Sequence, residues 1–474
     1  MRRHTGLVGT ALALGLLSQT VDARDPDPMR DSVRAQERLD RELQRTTDRT
    51  QQLEVRTAEE RLKIQADAIK DPEKAAGDLA KLDADTAREQ DKIAQDQTKA
   101  QDDFAEDVAK ATADAEDHGS ESQHSEQMRD LGKAEDAEHD ADGFPVRRGE
   151  VVALDLAPAT LQTMMGKGYR IVERRKIEDL GQEIVRLAAP RGVAAMDAKA
   201  ELRRIDPAAV VDLVHYYGLN MMAGTHARPV HKASAALPAR RGNVTVGMID
   251  TAVSRHPSLQ TARIVTWSDG AVGAAPTEHG TAVASLLAGE GSSTIYAANI
   301  FRGGADRPFT SADVIAEAIG WMLSQKVGTV NMSLAGPRNA ILDRLIRDAS
   351  AKGLQVVAAA GNGGPTAPPA YPAALPGVIA VTAVDKDERI YRYANRGRYI
   401  AVAARGVDVT AAQAKGGLAR FDGTSFATPH ITAWIARCRS SGEAVTGCKA
   451  RLQAAARDAG PAGFDDIYGH GVVD

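Results

Sequence analysis

Four side chains in the C-terminal half of the chain have the types and settings that acyl transfer requires. Asp250 closes the apolar run Val244–Ile249 in VGMIDTAV. A carboxylate there would sit at the carboxyl end of a strand, where α/β sheets meet their ligands. His279 lies in EHGTAVASLLAG, where a glycine and a threonine open an apolar helix. Asn362 follows the strand-like run Gln355–Ala360 in AAAGNGG, a glycine-flanked loop able to present an amide. Ser425 lies in DGTSFATPHITAWIA. Gly423-Thr424 reads as a tight turn and Pro429 as part of a helix's first turn, so Ser425 falls at a helix N-terminus with unpaired backbone N–H groups. A serine hydroxyl attacks only when a base takes its proton. Histidine suits that role near neutral pH. A buried carboxylate fixes the imidazole tautomer, and an amide together with a helix-start N–H can hold a tetrahedral oxyanion. Each residue alone is commonplace, and the chemistry lies in their combination.

These side chains need a rigid frame. The runs VTVGMID, LQVVAAAGN and VIAVTAV alternate with helical stretches over residues 243–474. Continuous apolar strands between helices predict an α/β domain, a parallel sheet covered on both faces. Ahead of it, residues 144–219 read as a small βαββαβ domain of the ferredoxin-like plan. Its strands are Val151–Leu156, Tyr169–Arg174, Glu183–Leu187 and Val210–Tyr216, and its helices are Pro158–Met165 and Ala194–Arg204. Residues 220–242, with Gly224, Pro229, Pro238 and Gly242, read as a linker.

The N-terminal part is a different polymer. Residues 1–23 carry Arg2-Arg3, an apolar core Leu7–Leu17 and small residues at Val21 and Ala23, the pattern of an export signal; an uncleaved anchor is the alternative. Residues 24–143 form a charged helical arm with an acidic linker. Leu39, Leu43, Thr46, Thr50, Leu53, Thr57 and Ile64 make a heptad-like seam, half of it threonine. Asp71-Pro72 stops one helix and starts another, with Asp71 as N-cap, and Leu79, Leu82, Thr86 and Ile93 carry a second stripe. The reading is a solvated αα-hairpin spacer or a coiled coil that binds a partner. The acidic stretch up to residue 142 buries too little to order itself and is expected to be disordered.

Composition narrows the options. Lys plus Arg is 59 and Asp plus Glu is 64, giving a net charge of −5 over 474 residues, which speaks against a nucleic-acid partner. Aromatics are 4%, so the cores must be aliphatic. Two cysteines are too few for a disulfide scaffold or a structural zinc site. Cys438 and Cys448 flank a Ser-Ser-Gly turn between two apparent helices. They could close a disulfide in an exported protein or remain two buried thiols.

Taken together, the motifs resemble those of the subtilisin-like serine peptidases, the subtilases. DTAV is similar to that family's Asp motif, HGTAVAS to its His motif and GTSFATPH to its Ser motif, in the family's order. Between them, NMSLAGP and AAAGN resemble its substrate-binding and oxyanion segments, and YGHGVVD resembles the end of its catalytic domain. Departures are Ala252 for Gly in the Asp motif, Ala335 for the first Gly of SLGG, and Arg405 for Pro in a stretch that usually ends AAPG.

The resemblance implies a subtilisin-like fold and an exported serine endopeptidase. Its catalytic residues would be Asp250, His279 and Ser425, with Asn362 in the oxyanion hole. Ser333, Leu334, Ala335, Gly336, Ala359, Ala360 and Gly361 would wall the substrate site. The βαββαβ domain would be a prodomain that inhibits in cis through its C-terminal tail. Self-cleavage is expected between about Tyr216 and Met222, in a flexible run containing Gly218 and Gly224, with Tyr216 or Tyr217 in an apolar pocket. Arg240-Arg241 is a rival site for another protease. No cofactor is implied and no metal ligand set is evident; calcium stays open. The expected location is periplasmic or extracellular. The competing reading is a catalytically silent subtilase fold whose arm binds a partner.

Overall fold

The structure, a computed structural model, describes residues 136–219, 228–229, 243–270, 277–303 and 308–473, with most positions in 42–64 and 71–99. The expected export signal and most of the acidic linker lie outside the described residues. The chain divides into two compact units, Met1–Glu121 and Ser122–Asp474.

In the first unit the described residues of 42–64 and 74–99 are helical. Arg49 donates to Asp96 at 2.6 Å and to Glu89 at 3.2 Å, the hydroxyls of Thr57 and Thr86 are 3.2 Å apart, and Arg61 pairs with Asp83. Rising numbers meet falling numbers, so the two stretches form an antiparallel hairpin. Thr46, Leu53 and Ile93 of the expected stripes are buried. Asp71 caps the second helix by accepting from the Lys74 N–H at 3.1 Å.

The second unit opens with β1 (Ala137–His139), β2 (Pro145–Leu154), α1 (Pro158–Gly166), β3 (Arg170–Ile177), β4 (Gln182–Ala188), α2 (Ala195–Ile205) and β5 (Val210–Leu219). The strands pair antiparallel in the order β5-β2-β4-β3, with β1 on the remaining part of β2. Strand β1 falls in the stretch expected to be disordered. Its acids are bonded instead: Glu138 accepts from the Gly149 and Ala195 N–H groups, and Asp140 meets buried His215 at 3.1 Å. Residues of alternating parity face opposite ways. Val151, Ala153, Val185, Leu187, Val211 and Leu213 pack under α1 and α2. Val152, Leu154, Ile177, Ile184 and Val214 share a core with the domain that follows. Burial on both faces explains why β2 reads as a continuous apolar run.

That domain comprises β6 (Arg228–Pro229), β7 (Val244–Asp250), β8 (Arg263–Ser268), α3 (Glu278–Gly289), β9 (Ser292–Asn299), β10 (Phe309–Ser311), α4 (Ala312–Ser324), β11 (Thr329–Met332), β12 (Leu334–Ala335), α5 (Ala340–Ala351), β13 (Gln355–Ala359), β14 (Ile379–Val384), β15 (Ile400–Arg405), β16 (Val409–Ala412), β17 (Leu418–Phe421), α6 (Thr424–Ser440) and α7 (Val445–Ala455). Seven strands form one sheet, β15-β14-β13-β11-β7-β9-β8, parallel throughout. Helix α6 packs across its centre, against β7, β11, β13 and β14. The Cys438 and Cys448 sulfurs stand 2.10 Å apart and tie the end of α6 to α7. No described helix is long and apolar enough to cross a membrane.

Strand β5 runs on to Leu219, beyond its expected end. Phe309–Ser311 of β10 pair with its residues 216–218 along one edge, and Leu334 and Ala335 of β12 pair with Leu219 and Gly218 along the other. Gly218, expected in a flexible run, is therefore a fully paired strand residue.

Candidate active site

Asp250 ends β7 where the sheet order reverses. Strand β7 lies between β9, reached through α3, and β11, reached through α4. Such a switch point opens a crevice at the carboxyl ends of the strands. The Asp250 side chain is completely buried. Its Oδ1 accepts from the Thr251 N–H at 2.6 Å and from His279 Nδ1 at 2.7 Å. An ionised carboxylate can only accept, so Nδ1 carries the imidazole proton and Nε2 presents its lone pair. That Nε2 is buried and has no hydrogen-bond partner in this structure.

His279 is the second residue of α3. The helix start is held to the strand end by Gly280, whose N–H donates to Thr251 Oγ1 at 2.7 Å. A Cβ at Gly280 would stand 2.4 Å from the Thr251 carbonyl, so no larger residue fits without moving Asp250 away from His279. The imidazole packs on the Phe426 ring with centroids 5.4 Å apart, and Phe426 in turn packs on Phe421 at 5.0 Å.

Ser425, the residue before Phe426, is the second residue of α6 and fully buried. Gly423, the N-cap, has φ +146°, a conformation that favours glycine. Pro429 is the sixth helical residue rather than part of the first turn. Asn362 is joined to the same helix start: its Oδ1 accepts from the Thr424 N–H at 3.1 Å and from Thr424 Oγ1 at 2.9 Å. With its oxygen anchored there, the Asn362 amide nitrogen points away from Thr424. The structure thus gathers Asp250, His279, Asn362 and Ser425 at adjoining strand and helix ends.

Ser333–Gly336 follow the carboxyl end of β11, and Ala359–Gly361 lie at that of β13. Gly336 exchanges backbone bonds with Tyr371 at 3.1 and 3.0 Å, and Tyr399 Oη donates to the Ala360 carbonyl at 2.7 Å. Gly361 has φ +118°, and a Cβ there would stand 2.4 Å from Asn395 Nδ2. The methyl of Ala335 faces Gly218 across the strand pair, so no side chain opposes it. Tyr217 is completely buried over Gly336, its hydroxyl donating to the Pro337 carbonyl at 2.8 Å, and burial raises its phenol well above the usual range.

Several residues of this site carry little sequence signal. Thr251 and Thr424 are hidden beside the residues they support. Asn331 and Thr432 stand out only as polar positions inside buried apolar runs.

A parallel sheet that presents these side chains at its switch point defines a subtilisin-like serine peptidase domain. Residues 241–471 match the model of the subtilase family. Subtilisin of Bacillus pumilus is 29% identical over 257 residues, covering 49% of this chain and 89% of that protein. The minor extracellular protease Epr of Bacillus subtilis is 27% identical over 247 residues, covering 49% of this chain but only 38% of Epr. The fold is shared with fervidolysin from Fervidobacterium pennivorans, a keratinolytic enzyme related to subtilisin, at 19% identity and a TM-score of 0.56, over 69% of this chain and 60% of that one.

Proposed function

We propose that the protein is a serine endopeptidase made as a self-inhibited precursor. Ser425 attacks the scissile carbonyl while His279 takes its proton through Nε2. Asp250 holds the Nδ1 proton and stabilises the imidazolium. Asn362 and the Ser425 N–H receive the oxyanion. His279 then protonates the leaving amine, and water repeats the cycle on the acyl-enzyme. All these groups are side chain or backbone, so the scheme calls on no cofactor. Structural calcium is not part of this reading.

The observation that carries the proposal is the seating of β5. A peptidase binds its substrate as an extended strand, and β5 lies in that manner between β10 and β12. Strand β5 ends at Leu219, opposite Leu334, and the neighbouring Ser333 hydroxyl donates to the Ser425 carbonyl at 3.3 Å. Arg228–Pro229 pairs with β17, which leads within three residues to Thr424. We therefore place self-cleavage after the paired end of β5, within the expected window from Tyr216 to Met222. The βαββαβ domain then acts as an inhibitory prodomain, with β5 as its tail. Tyr217, buried and paired within β5, is then not the residue next to the cut.

Export is supported by the Arg2-Arg3 and Leu7–Leu17 pattern and by the extracellular relative. Periplasmic or extracellular release follows from it. The arm serves as a polar spacer or as a coil for a partner. Labelling with a fluorophosphonate tests the activity: the self-processed wild type takes label and Ser425→Ala does not. No label on either points instead to a silent, partner-binding subtilase fold.

A further inference from the structure

Helix α6 carries an internal proline four residues beyond Ser425. In a regular helix the carbonyl of residue 425 accepts the N–H of residue 429, and proline has none. The donor that reaches this carbonyl comes from outside the helix, from Ser333 Oγ at 3.3 Å. Ser333 is itself bonded: Asn331 Nδ2 donates to its oxygen at 3.0 Å. The Asn331 amide is in turn oriented by α6, because Asn331 Oδ1 accepts from Thr432 Oγ1 at 3.1 Å. Thr432 lies seven residues, two helical turns, beyond Ser425. Its hydroxyl also lies 3.0 Å from the Thr428 carbonyl, so its proton is shared. All four side chains are buried, with at most 1% of their surface exposed.

The four form a closed path: along α6 from Ser425 to Thr432, across to β11 at Asn331, and back through Ser333. Direction matters along it. When the Asn331 oxygen takes the Thr432 proton, its nitrogen faces Ser333. Ser333 then accepts from Asn331 and keeps its own proton for the Ser425 carbonyl. Buried chains of this kind act as units.

We infer that Asn331 and Thr432 are positioning residues for Ser425, holding the carbonyl that Pro429 releases against the strand that binds substrate. This rests on the reading of Ser425 as nucleophile. Among the described residues, the side-chain hydrogen bonds of Asn331 and Thr432 go to Ser333, Thr428 and each other and none to β5, so their effect is expected on the geometry of attack and not on peptide binding. A displacement of the nucleophile by a fraction of an ångström lowers the rate of acylation and leaves affinity intact.

The test is steady-state kinetics of self-processed enzyme on a peptide substrate, with active sites counted by fluorophosphonate. Thr432→Val keeps shape and removes the donor. Its kcat is expected to fall about 5–10-fold with KM within about twofold, the scale of one neutral hydrogen bond. Thr432→Ser restores kcat. Asn331→Asp puts an acceptor beside Ser333, captures its proton, and lowers kcat at least as far. The double variant Asn331→Asp/Thr432→Val is no slower than Asn331→Asp, since both break one path. The inference is overturned if kcat stays within twofold in Thr432→Val and Asn331→Asp, if the two losses multiply, or if KM carries the change. Should Thr432→Val fail to fold, Asn331→Asp and Thr432→Ser decide. A wild type that takes no label refutes the Ser425 reading itself, whereas labelled variants with normal kcat refute only the relay.

Discussion

Glu317 on α4 should act as a proton-dependent hold on the βαββαβ domain, and replacing it with glutamine should remove that dependence. Four carboxylates meet three guanidiniums where the two layers pack. Arg186 of β4 reaches Glu150 at 3.1 Å, Glu173 at 3.0 Å and Asp313 of α4 at 3.3 Å. Arg175 of β3 reaches Glu173 at 2.9 Å and Glu317 at 3.5 Å, and Arg147 of β2 lies 3.6 Å from Glu150. Only 10% of the Glu317 side chain and 5% of the Asp313 side chain are exposed. One carboxylate is in excess, and burial, followed by the charge of Glu173, pushes Glu317 from an ordinary 4.5 up to about 7. Once the βαββαβ domain leaves, the carboxyl regains water and its ordinary acidity. Formation of the complex therefore takes up a proton between pH 4.5 and 7. Affinity is greatest at the acid end of that window, falls as pH rises through it, and levels off above 7. The shift sets a ceiling of a few hundredfold, and screening at the rim reduces it to roughly 10–100-fold. The assay follows the self-cleaved complex by size exclusion and by the lag before peptidase activity, at pH 5.5 and pH 8. Wild type should release its βαββαβ domain far faster at pH 8. Glu317→Gln should hold it at both values, with a longer lag at pH 8. Equal pH dependence in the two proteins would refute the reasoning.

Three further outcomes follow from the same geometry. Asn362→Ala, which removes one oxyanion donor, should lower kcat by about 10²–10³ with little change in KM, measured on a chromogenic peptide. The wall of Ser333–Gly336 and Ala359–Gly361 carries no charge, so a peptide library should show apolar residues preferred over Lys or Arg before the cut. Cys438→Ser should cost about 2–3 kcal/mol, the loop-closure scale for two residues ten apart, seen as a lower denaturant midpoint under non-reducing conditions.

Much of the architecture was legible because it rests on local rules. Apolar runs bounded by glycines gave the parallel strands, and Asp250, His279 and Ser425 could be placed at strand and helix ends from their immediate neighbours. The ends of β5 and β1 were not legible. Whether Gly218 belongs to a strand or a loose run depends on β10 and β12, about 90 to more than 110 residues away, which supply its partners. Glu138 and Asp140 read as solvated because nothing in their own stretch announces Gly149, Ala195 and His215 as partners. Pro429 sits in the second helical turn and not the first, because α6 starts at Thr424, whose N–H is bonded to Asn362. Asn331 and Thr432 were passed over because a polar residue in an apolar run gains meaning only from what it meets across the core.

The central claim, that Ser425 cuts its own chain just beyond the paired end of β5, is tested most directly by intact-mass and N-terminal analysis of the full chain produced as wild type and as Ser425→Ala. The account predicts a wild-type fragment beginning within residues 220–222 and an uncut Ser425→Ala chain. The same fragment from both proteins, or a wild-type chain cut only at Arg240-Arg241, would contradict it.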